Sequence, residues 1–156
     1  MKKQDLVLMS YLRQNSRMSL TNLSKKTGIP ISSIFDRLKK ANGTLIQKHV
    51  SLLDFGKLGF SVKVSILLKV GKQEKEKVKD ALVKFFNVNS LCKVNNGYDF
   101  LVEAIFHDLK ELEDFFDALD KKFTIRKREV YYIIEDLKKE GFLSDPQLLS
   151  YVMPAY

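Results

Sequence analysis

The chain has 156 residues, of which 45% are hydrophobic, and its formal net charge is +8. This length suits one ordinary domain or two small ones, and the composition excludes a largely disordered chain. No apolar run approaches the roughly 18 residues that a membrane span needs, and the single cysteine, Cys92, excludes an internal disulfide framework. We therefore expect a cytoplasmic protein without a signal peptide or a membrane partner.

The positive charge is confined to the first part of the chain. Residues 1–59 contain 11 Lys and Arg against 3 Asp and Glu, whereas residues 60–156 contain 16 of each. A basic block joined to a neutral block is typical of a polyanion-binding module attached to a second module. Charge alone leaves open the alternative of a solvated basic surface without a partner.

Capping residues and apolar spacing predict three short helices in the first 43 residues. Asp5 is placed to cap the first helix, and Ser19 is placed to cap the second. Gly28 tolerates the left-handed conformation of a tight turn, and Pro30 prevents the second helix from continuing. The third helix is predicted over residues 31–41. Helix, short turn and helix form the helix-turn-helix pattern, in which the second helix of the pair enters the major groove of DNA.

The outward side chains of the third helix are the candidate contacts to DNA. Hydroxyl groups near its start permit close approach, and its basic side chains can reach phosphates. Asp36 can accept a hydrogen bond from a cytosine amino group, while Phe35 either lies against a thymine methyl group or is a partly buried packing residue. On the second helix, Lys25 and Lys26 either contact the DNA backbone or form a solvated face. The candidate DNA-binding residues are Ser32, Ser33, Phe35, Asp36, Arg37, Lys39, Lys40, Lys25 and Lys26.

After an extended hinge, the hydrophobic pattern alternates between strand and helix periods. The predicted elements are a strand over 60–70, a helix over 74–87, a strand over 88–95, a strand over 98–106, a helix over 108–120 and a strand over 125–134. Asn95-Asn96-Gly97 is a strong hairpin signal. The order β-α-β-β-α-β is the ferredoxin-like arrangement, so the predicted fold class is α+β.

Two helices can cover only one face of such a sheet. Their inward stripes are expected to include Phe86 and Leu109 among other apolar residues. The uncovered face is too apolar for a solvated surface, so we expect it to pack against another subunit. A helix-turn-helix protein gains affinity and operator symmetry by dimerising. The residues expected on that face are Leu67, Leu91, Leu101, Ile105 and either Tyr132 or Ile134.

Several runs of residues match a known family in order along nearly the whole chain. They are Asp5-x-x-Leu8-Met9-x-x-Leu12-x-x-Asn15-x-Arg17-x-Ser19-Leu20-x-x-Leu23, Lys25-Lys26-Thr27-Gly28-Ile29, Phe35-Asp36-Arg37-Leu38-Lys39-Lys40, Asn42-Gly43-x-x-Ile46, Leu53-Asp54 and Leu58-Gly59-Phe60. With these runs the chain resembles the Lrp/AsnC, or feast/famine, transcriptional regulators. Its ending, residues 135–143, is similar to that of archaeal members.

The resemblance implies a ferredoxin-like module that dimerises through its sheet and often assembles further, to tetramers or octamers. It also implies an amino-acid effector bound between dimers, near a turn where the family usually has Gly, one residue, an aromatic residue and Asp. This chain has Asn96, Gly97, Tyr98 and Asp99 there, so Asn96 replaces the glycine and Gly97 is shifted by one. A plain hairpin turn, with Asp99 as a structural hydrogen-bond acceptor, is the alternative.

The predicted organisation therefore has four segments. Residues 1–44 form a winged-helix-like helix-turn-helix domain and residues 45–59 an extended hinge. Residues 60–136 form a ferredoxin-like sensing and oligomerisation domain, and residues 137–156 form a tail. The apolar part of the tail, from Leu148 to Tyr156, is expected to dock on a neighbouring subunit.

Two other functions are weighed against a sequence-specific regulator of double-stranded DNA. Siroheme decarboxylases share the layout but need histidines and arginines converging on a large pocket, and this chain has only His49 and His107. Neither a metal-site spacing nor a catalytic or nucleotide-binding motif is present, so we expect no enzyme activity, no metal and no cofactor. A sensing or assembly module without specific DNA binding is the second alternative, but such modules usually lack a helix-turn-helix.

Overall fold

The computed structural model describes residues 3–152. Its elements are α1 (Lys3–Gln14), α2 (Leu20–Thr27), α3 (Ile31–Ala41), a 3-10 turn (Gly56–Leu58), β1 (Val62–Val70), α4 (Lys75–Lys84), β2 (Val88–Lys93), β3 (Phe100–Phe106), α5 (Leu109–Asp120), β4 (Ile125–Tyr132), a second 3-10 turn (Pro146–Leu148) and α6 (Leu149–Val152). Within this range, no helix has the length and hydrophobicity that crossing a membrane requires.

The described residues fall into two compact units. Residues 3–52 together with 137–152 form the helical unit, and Leu53–Asp136 forms the sheet unit. The expected tail therefore groups with the helix-turn-helix residues of its own chain. Its 3-10 turn contacts α1, and Arg13 forms a 2.7 Å ion pair with Glu140. The last residues of the expected docking segment, 153–156, lie outside the described residues.

Local chemistry sets the ends of the helices in the helical unit. The Ser19 hydroxyl accepts a hydrogen bond from the Asn22 N–H at 3.2 Å, as expected of an N-cap. Gly28 ends α2 in the left-handed conformation, at φ +70°, and its N–H donates to the Ser24 carbonyl. The expectation for Asp5 is wrong: α1 begins at Lys3, so Asp5 lies within its first turn.

The core of the helical unit is small and draws on all three helices. Its buried members are Leu8, Leu23, Ile29 and Ile34, and partly buried apolar side chains surround them. Each fully buried aliphatic side chain contributes roughly 1.5–3 kcal/mol relative to exposure, so a few residues carry much of this unit's stability. After α3, Asn42 bridges Ile46, and residues 47–54 adopt no regular structure where the sequence predicts an extended hinge.

The strands of the sheet unit form one antiparallel four-stranded sheet within the described residues, in the order β2-β3-β1-β4. With α4 and α5 this is the predicted ferredoxin-like α+β arrangement, which is confirmed. Alternate residues of β1 point to the helices and are fully buried, as in Val64, Ile66 and Leu68. We call this side the covered face and the opposite side the open face. The buried core residues are Val64, Ile66, Leu68, Val70, Val78, Leu82, Phe100, Val102, Ala104, Phe106, Leu112, Phe115, Phe116 and Leu119.

Two residues expected on the open face lie on the covered face. The register of β2 shifts between Val88 and Ser90, so Leu91 pairs with Val102 and packs against the core. A bulge of this kind reverses the side on which every later residue projects. Tyr132 pairs with the buried Val64, so it too belongs to the covered side. The open face instead carries the half-buried Leu67 and Leu101 and the exposed Tyr131, while Ile105, on the same side, is buried within the chain.

Two apolar residues expected to point inward are exposed because helix ends differ from the prediction. α4 ends at Lys84, and Phe85 is extended, so the Phe86 ring turns outward and is 81% exposed. α5 begins at Leu109 after Asp108, whose carboxylate caps the helix by accepting from the Glu111 N–H. Leu109 therefore occupies the first turn and projects into solvent.

Candidate nucleic-acid interface and effector region

The third helix presents most of its predicted DNA-binding residues to solvent. Ser32, Phe35 and Asp36 are exposed, as are Lys39 and Lys40 near its C-terminal end, while Ser33 is half-buried. Phe35 is 56% exposed, so part of its ring is open to a partner. Pro30 precedes the helix, and no side chain in the described part of the chain caps its first N–H groups. Uncapped N–H groups at a helix start can bind phosphate oxygens.

Arg37 does not project outward as the sequence predicts. Its guanidinium forms an ion pair with Asp5 and donates a 2.7 Å hydrogen bond to the Gln4 side chain, both on α1. The Arg37 and Asp5 side chains are only 25% and 24% exposed. This contact fixes α3 against α1. Because the partners lie 32 residues apart, helical spacing gave no signal of it.

The lysines of the helix-turn-helix region are available to a partner. Lys25 and Lys26 lie in the last turn of α2, and both are exposed. The Lys26 Nζ lies 5.5 Å from the centre of the Tyr11 ring. Within residues 3–152, Lys25, Lys39 and Lys40 form no ion pair, so their charges are not neutralised by the chain itself.

The predicted effector turn has the backbone geometry of a tight hairpin. Asn96 and Gly97 have φ values of +61° and +91°, and the Val94 N–H donates to the Asp99 carbonyl at 3.1 Å. Two consecutive positive φ values are the signature of a type I′ turn, which Asn-Gly favours. Asn96 and Gly97 thus serve the hairpin, and both are exposed to solvent.

Asp99 is a buried structural acceptor at the start of β3. Its carboxylate accepts from the Val70 N–H at 3.0 Å and forms ion pairs with Lys75, at 2.5 Å, and Lys69, at 3.7 Å. Burial raises the pKa of Asp99, but the hydrogen bonds from Lys75 and Val70 and the charge of Lys69 together hold that pKa below its usual value. These contacts connect the start of β3 to the end of β1. They support the alternative that Asp99 is a structural hydrogen-bond acceptor of a plain hairpin turn.

Tyr98 belongs to a polar group that the sequence did not reveal. Its hydroxyl donates to Glu129 of β4, which also accepts from the Tyr131 hydroxyl at 2.8 Å and pairs with Lys127 at 2.9 Å. The Lys127 Nζ lies 4.7 Å from the centre of the Tyr98 ring. The Tyr98 hydroxyl, with Lys127 and Tyr131, lowers the pKa of Glu129 to about 2. We call Tyr98, Lys127, Glu129 and Tyr131 the tyrosine–glutamate cluster.

The position of this cluster follows from strand alternation. Glu129 pairs with Leu67 and Tyr131 with Ser65, so both residues point to the open face. Residues 127, 129 and 131 alternate along one strand, which is the only signal that the sequence offered. Tyr98 was expected on the same face as Phe100, but it precedes β3 and reaches the opposite side.

An exposed basic helix-turn-helix joined to a ferredoxin-like unit defines a class of transcriptional regulator with a DNA-binding and a ligand-binding part. Residues 1–41 match the family described as winged helix-turn-helix DNA-binding. Residues 62–142 match the Lrp/AsnC ligand binding domain. The chain belongs to the Lrp/AsnC family, as its motifs had indicated.

Relatives from Pyrococcus cover most of the chain. An uncharacterized HTH-type transcriptional regulator of Pyrococcus abyssi is 25% identical over 146 residues, which span 89% of this chain and 94% of the relative. The HTH-type transcriptional regulator FL11 of the same organism is 28% identical over 116 residues, which span 74% of this chain and 77% of FL11.

Solved structures share the fold at low sequence identity. A transcriptional regulator of Neisseria meningitidis, solved as a complex with L-Met, has a TM-score of 0.82 at 18% identity, covering 89% of this chain and 93% of that one. AsnC of E. coli has a TM-score of 0.79 at 15% identity, covering 89% and 95%. These likenesses support the fold assigned above.

Proposed function

We propose that this regulator binds specific sites on double-stranded DNA as a homodimer, with α3 of each subunit in a major groove. The observation that supports this most is the exposed start of α3, which has no side-chain cap. Lys39 and Lys40 near the other end of the helix, and Lys25 at the end of α2, form no ion pair within residues 3–152. Two reading helices related by symmetry fit a pseudo-palindromic site whose half-sites are about 34–36 Å, or a multiple, apart. This function would place the protein in the cytoplasm with the chromosome.

The side chains divide into two groups by what they can contact. Lys25, Lys26, Lys39 and Lys40 provide phosphate contacts, which supply affinity regardless of sequence. Ser32, Ser33 and Asp36 lie towards the start of α3 and provide contacts to base edges, with Phe35 placed against a thymine methyl group. Arg37 acts by holding α3 on α1 through Asp5, which sets the angle at which the other side chains project.

The open face of the sheet supports the proposed dimer. Leu67 and Leu101 pair across neighbouring strands and are half-buried, and Tyr131 is exposed on the same side, whereas Ile105 is already buried within the chain. α4 and α5 contribute their buried side chains to the opposite face. The face combines these apolar side chains with polar ones, among them Ser65, Glu103 and Glu129, and we propose that this mixed, uncovered face forms an interface between identical subunits. Further assembly to tetramers or octamers would build on this dimer.

A small effector is part of the proposal, and an amino acid is the class that we favour. The matched domain is described as ligand binding, and the Neisseria regulator was solved with L-Met. We place the effector near Asn96, Gly97 and Tyr98, with Asp99 holding the strand beneath them. Thermal melting of the protein with single amino acids at millimolar concentration tests this, since a ligand that binds the native state raises the melting temperature.

Selection of duplexes from a random DNA pool at near-physiological salt tests the main proposal. A symmetric consensus bound about 10³-fold or more tightly than scrambled DNA is the expected outcome. No enrichment, with weak and salt-sensitive binding only, would contradict it. That outcome would favour a sensing or assembly module, the alternative left by the sequence.

Two substitutions separate the roles of the side chains on α3. Lys40→Ala should weaken binding to all sequences alike and reduce the slope of log affinity against log salt by about 0.9. Asp36→Ala should change the preferred bases more than the total affinity, because it removes a base-edge acceptor. Fluorescence anisotropy on the selected site and on single-base variants measures both effects, with the exposed Lys77→Ala of α4 as the control. Identical profiles for the two α3 variants would show that this division is wrong.

A further inference from the structure

We propose that the sheet unit carries a second DNA-backbone contact, which we call the α5–β4 basic surface. It consists of Lys72, Lys121, Lys122 and Arg126. The inference rests on the proposed function, because it assigns part of the phosphate binding to a unit other than the helix-turn-helix. The occupant is the sugar-phosphate backbone of the DNA that the regulator binds.

The charge of this surface is a local excess in an otherwise balanced part of the chain. Residues 121–128 contain five Lys and Arg and no Asp or Glu, although residues 60–156 are neutral as a whole. The run includes the turn after α5 and the first half of β4. A local excess of cations in an otherwise neutral unit is typical of a site for a polyanion.

Two of the five cations have structural roles, and the other three are free. Arg128 lies over the Phe116 ring and pairs with Asp120 at 3.3 Å, and Lys127 pairs with Glu129. In contrast, Lys121, Lys122 and Arg126 are exposed. Their side chains form no ion pair or hydrogen bond with any residue from 3 to 152.

A neighbouring turn adds a fourth free cation. The Gly71 N–H donates to the Thr124 carbonyl at 3.1 Å, which brings the turn after β1 beside the turn after α5. Lys72 follows Gly71, is exposed and is likewise unpaired among the described residues. Of the nearby acidic groups, Glu74 accepts from the Thr124 N–H and Asp120 holds Arg128, while Asp117, one turn before Lys121, is exposed. The free positive charges therefore remain available to a partner.

The shape of the surface favours a phosphate chain over an enclosed small molecule. Of the four cations, Arg126 lines an open depression of about 490 Å³, together with Asp120, Lys127, Arg128 and residues 123–125, and the other three lie outside its lining. Lysines after a helix C-terminus are also stabilised by the helix dipole, which accounts for Lys121 and Lys122 in part. That effect does not reach Arg126, on a strand, or Lys72, in a different turn.

The test compares two triple variants of the full chain with equal loss of charge. The surface variant is Lys121→Gln/Lys122→Gln/Arg126→Gln. The control variant is Lys77→Gln/Lys84→Gln/Lys110→Gln, whose lysines are exposed and unpaired within the described chain. Affinity for a duplex of several helical turns carrying the selected site is measured over a series of salt concentrations. Circular dichroism melting and sedimentation confirm that folding and assembly are unchanged.

The surface variant should bind more weakly, and its salt slope should fall by about 0.9 for each phosphate that the protein no longer neutralises, whereas the control should match the wild type. Equal effects in both variants would overturn the proposal, because net charge alone would explain them. No effect in the surface variant would also overturn it while leaving the proposed function intact. A wild-type chain that binds no duplex would defeat both. Tight binding of inorganic phosphate at this surface, with unchanged DNA affinity, would overturn it in favour of a small anionic ligand.

Discussion

Among the described residues, the helical unit buries seven apolar side chains, whereas the sheet unit buries fifteen. The two parts of the chain also differ in net charge, because residues 1–59 have 11 Lys and Arg against 3 Asp and Glu, whereas residues 60–156 have 16 of each. In the sheet unit, Lys63 pairs with Asp136, and Lys69 and Lys75 pair with Asp99. In the helix-turn-helix, Lys25, Lys39 and Lys40 have no such partner among the described residues.

This difference connects stability with function. In the sheet unit, ion pairs neutralise part of the cations. A large core and these ion pairs together stabilise the unit. The helical unit leaves cations unneutralised, and binding of such a basic surface to phosphates is favourable. The helical unit also has the smaller core, so fewer buried residues hold α3 in place.

The largest expected effect comes from truncating the two cores. Phe106→Ala in the sheet unit and Ile34→Ala in the helical unit remove fully buried side chains. Each should cost about 2–5 kcal/mol. In the sheet unit this should lower the melting temperature, while the helical unit, with its smaller core, should unfold at room temperature.

Calorimetry and circular dichroism distinguish these outcomes. Phe106→Ala should shift the unfolding transition of the sheet unit, and Ile34→Ala should shift that of the helical unit. Val83→Ala serves as a control, because Val83 is 67% exposed and its truncation should leave both transitions in place. A single transition shifted equally by both core variants would show that the units fold as one body.

A smaller effect is expected at Asp99, where the sheet unit neutralises two of its own lysines. Asp99→Asn should destabilise the protein by about 1–3 kcal/mol at pH 7, because it removes a buried charge-assisted acceptor. The folded-state pKa of Asp99 is below its usual 3.8, so its contribution is complete above that value and is lost as the pH falls towards the folded-state pKa.

Urea unfolding at pH 7 and at pH 3 measures this dependence. The gap between wild type and Asp99→Asn should narrow at the lower pH. Asp80→Asn provides the control, because the Asp80 side chain is 67% exposed. A gap independent of pH would mean that the Asp99 charge contributes nothing to stability.

The smallest effect is expected at a helix cap in the helical unit. Ser19→Ala removes the acceptor for the Asn22 N–H and should cost about 1 kcal/mol. Because the core of this unit is small, even this change should be detectable as an earlier urea transition. Ser16→Ala, at an exposed position outside the helices, should have no effect. If the two variants unfold alike, the cap does not limit the stability of α2.

Features encoded by neighbouring residues could be predicted from the sequence. The bounds of α3 follow from Pro30 before it and Asn42-Gly43 after it, and the hairpin at Asn96-Gly97 follows from the φ values that these residues tolerate. The order of strands and helices along the chain follows from apolar periods of two and of 3.6. All these signals lie within a few residues of the structure that they specify.

Features that depend on distant residues could not be predicted. The pairing of Arg37 with Asp5 joins two helices, and no spacing rule places these side chains together. The bulge in β2 reverses the direction of Leu91, and nothing in the local alternation marks it. The tyrosine–glutamate cluster needs both the β4 register and a residue preceding β3, so its members emerge only from the folded sheet.

The grouping of residues 137–152 with residues 3–52 has a consequence for how such a protein can be recombined. In terms of chain order, the sheet unit is an insertion within the helical unit. A gene fusion that exchanges only the first 52 residues would combine the new helix-turn-helix with the C-terminal segment of a different protein. It would disrupt the Arg13–Glu140 pair and the packing of α1 on the second 3-10 turn. Modular exchange between members of such an architecture therefore requires two crossovers, one on each side of the insertion.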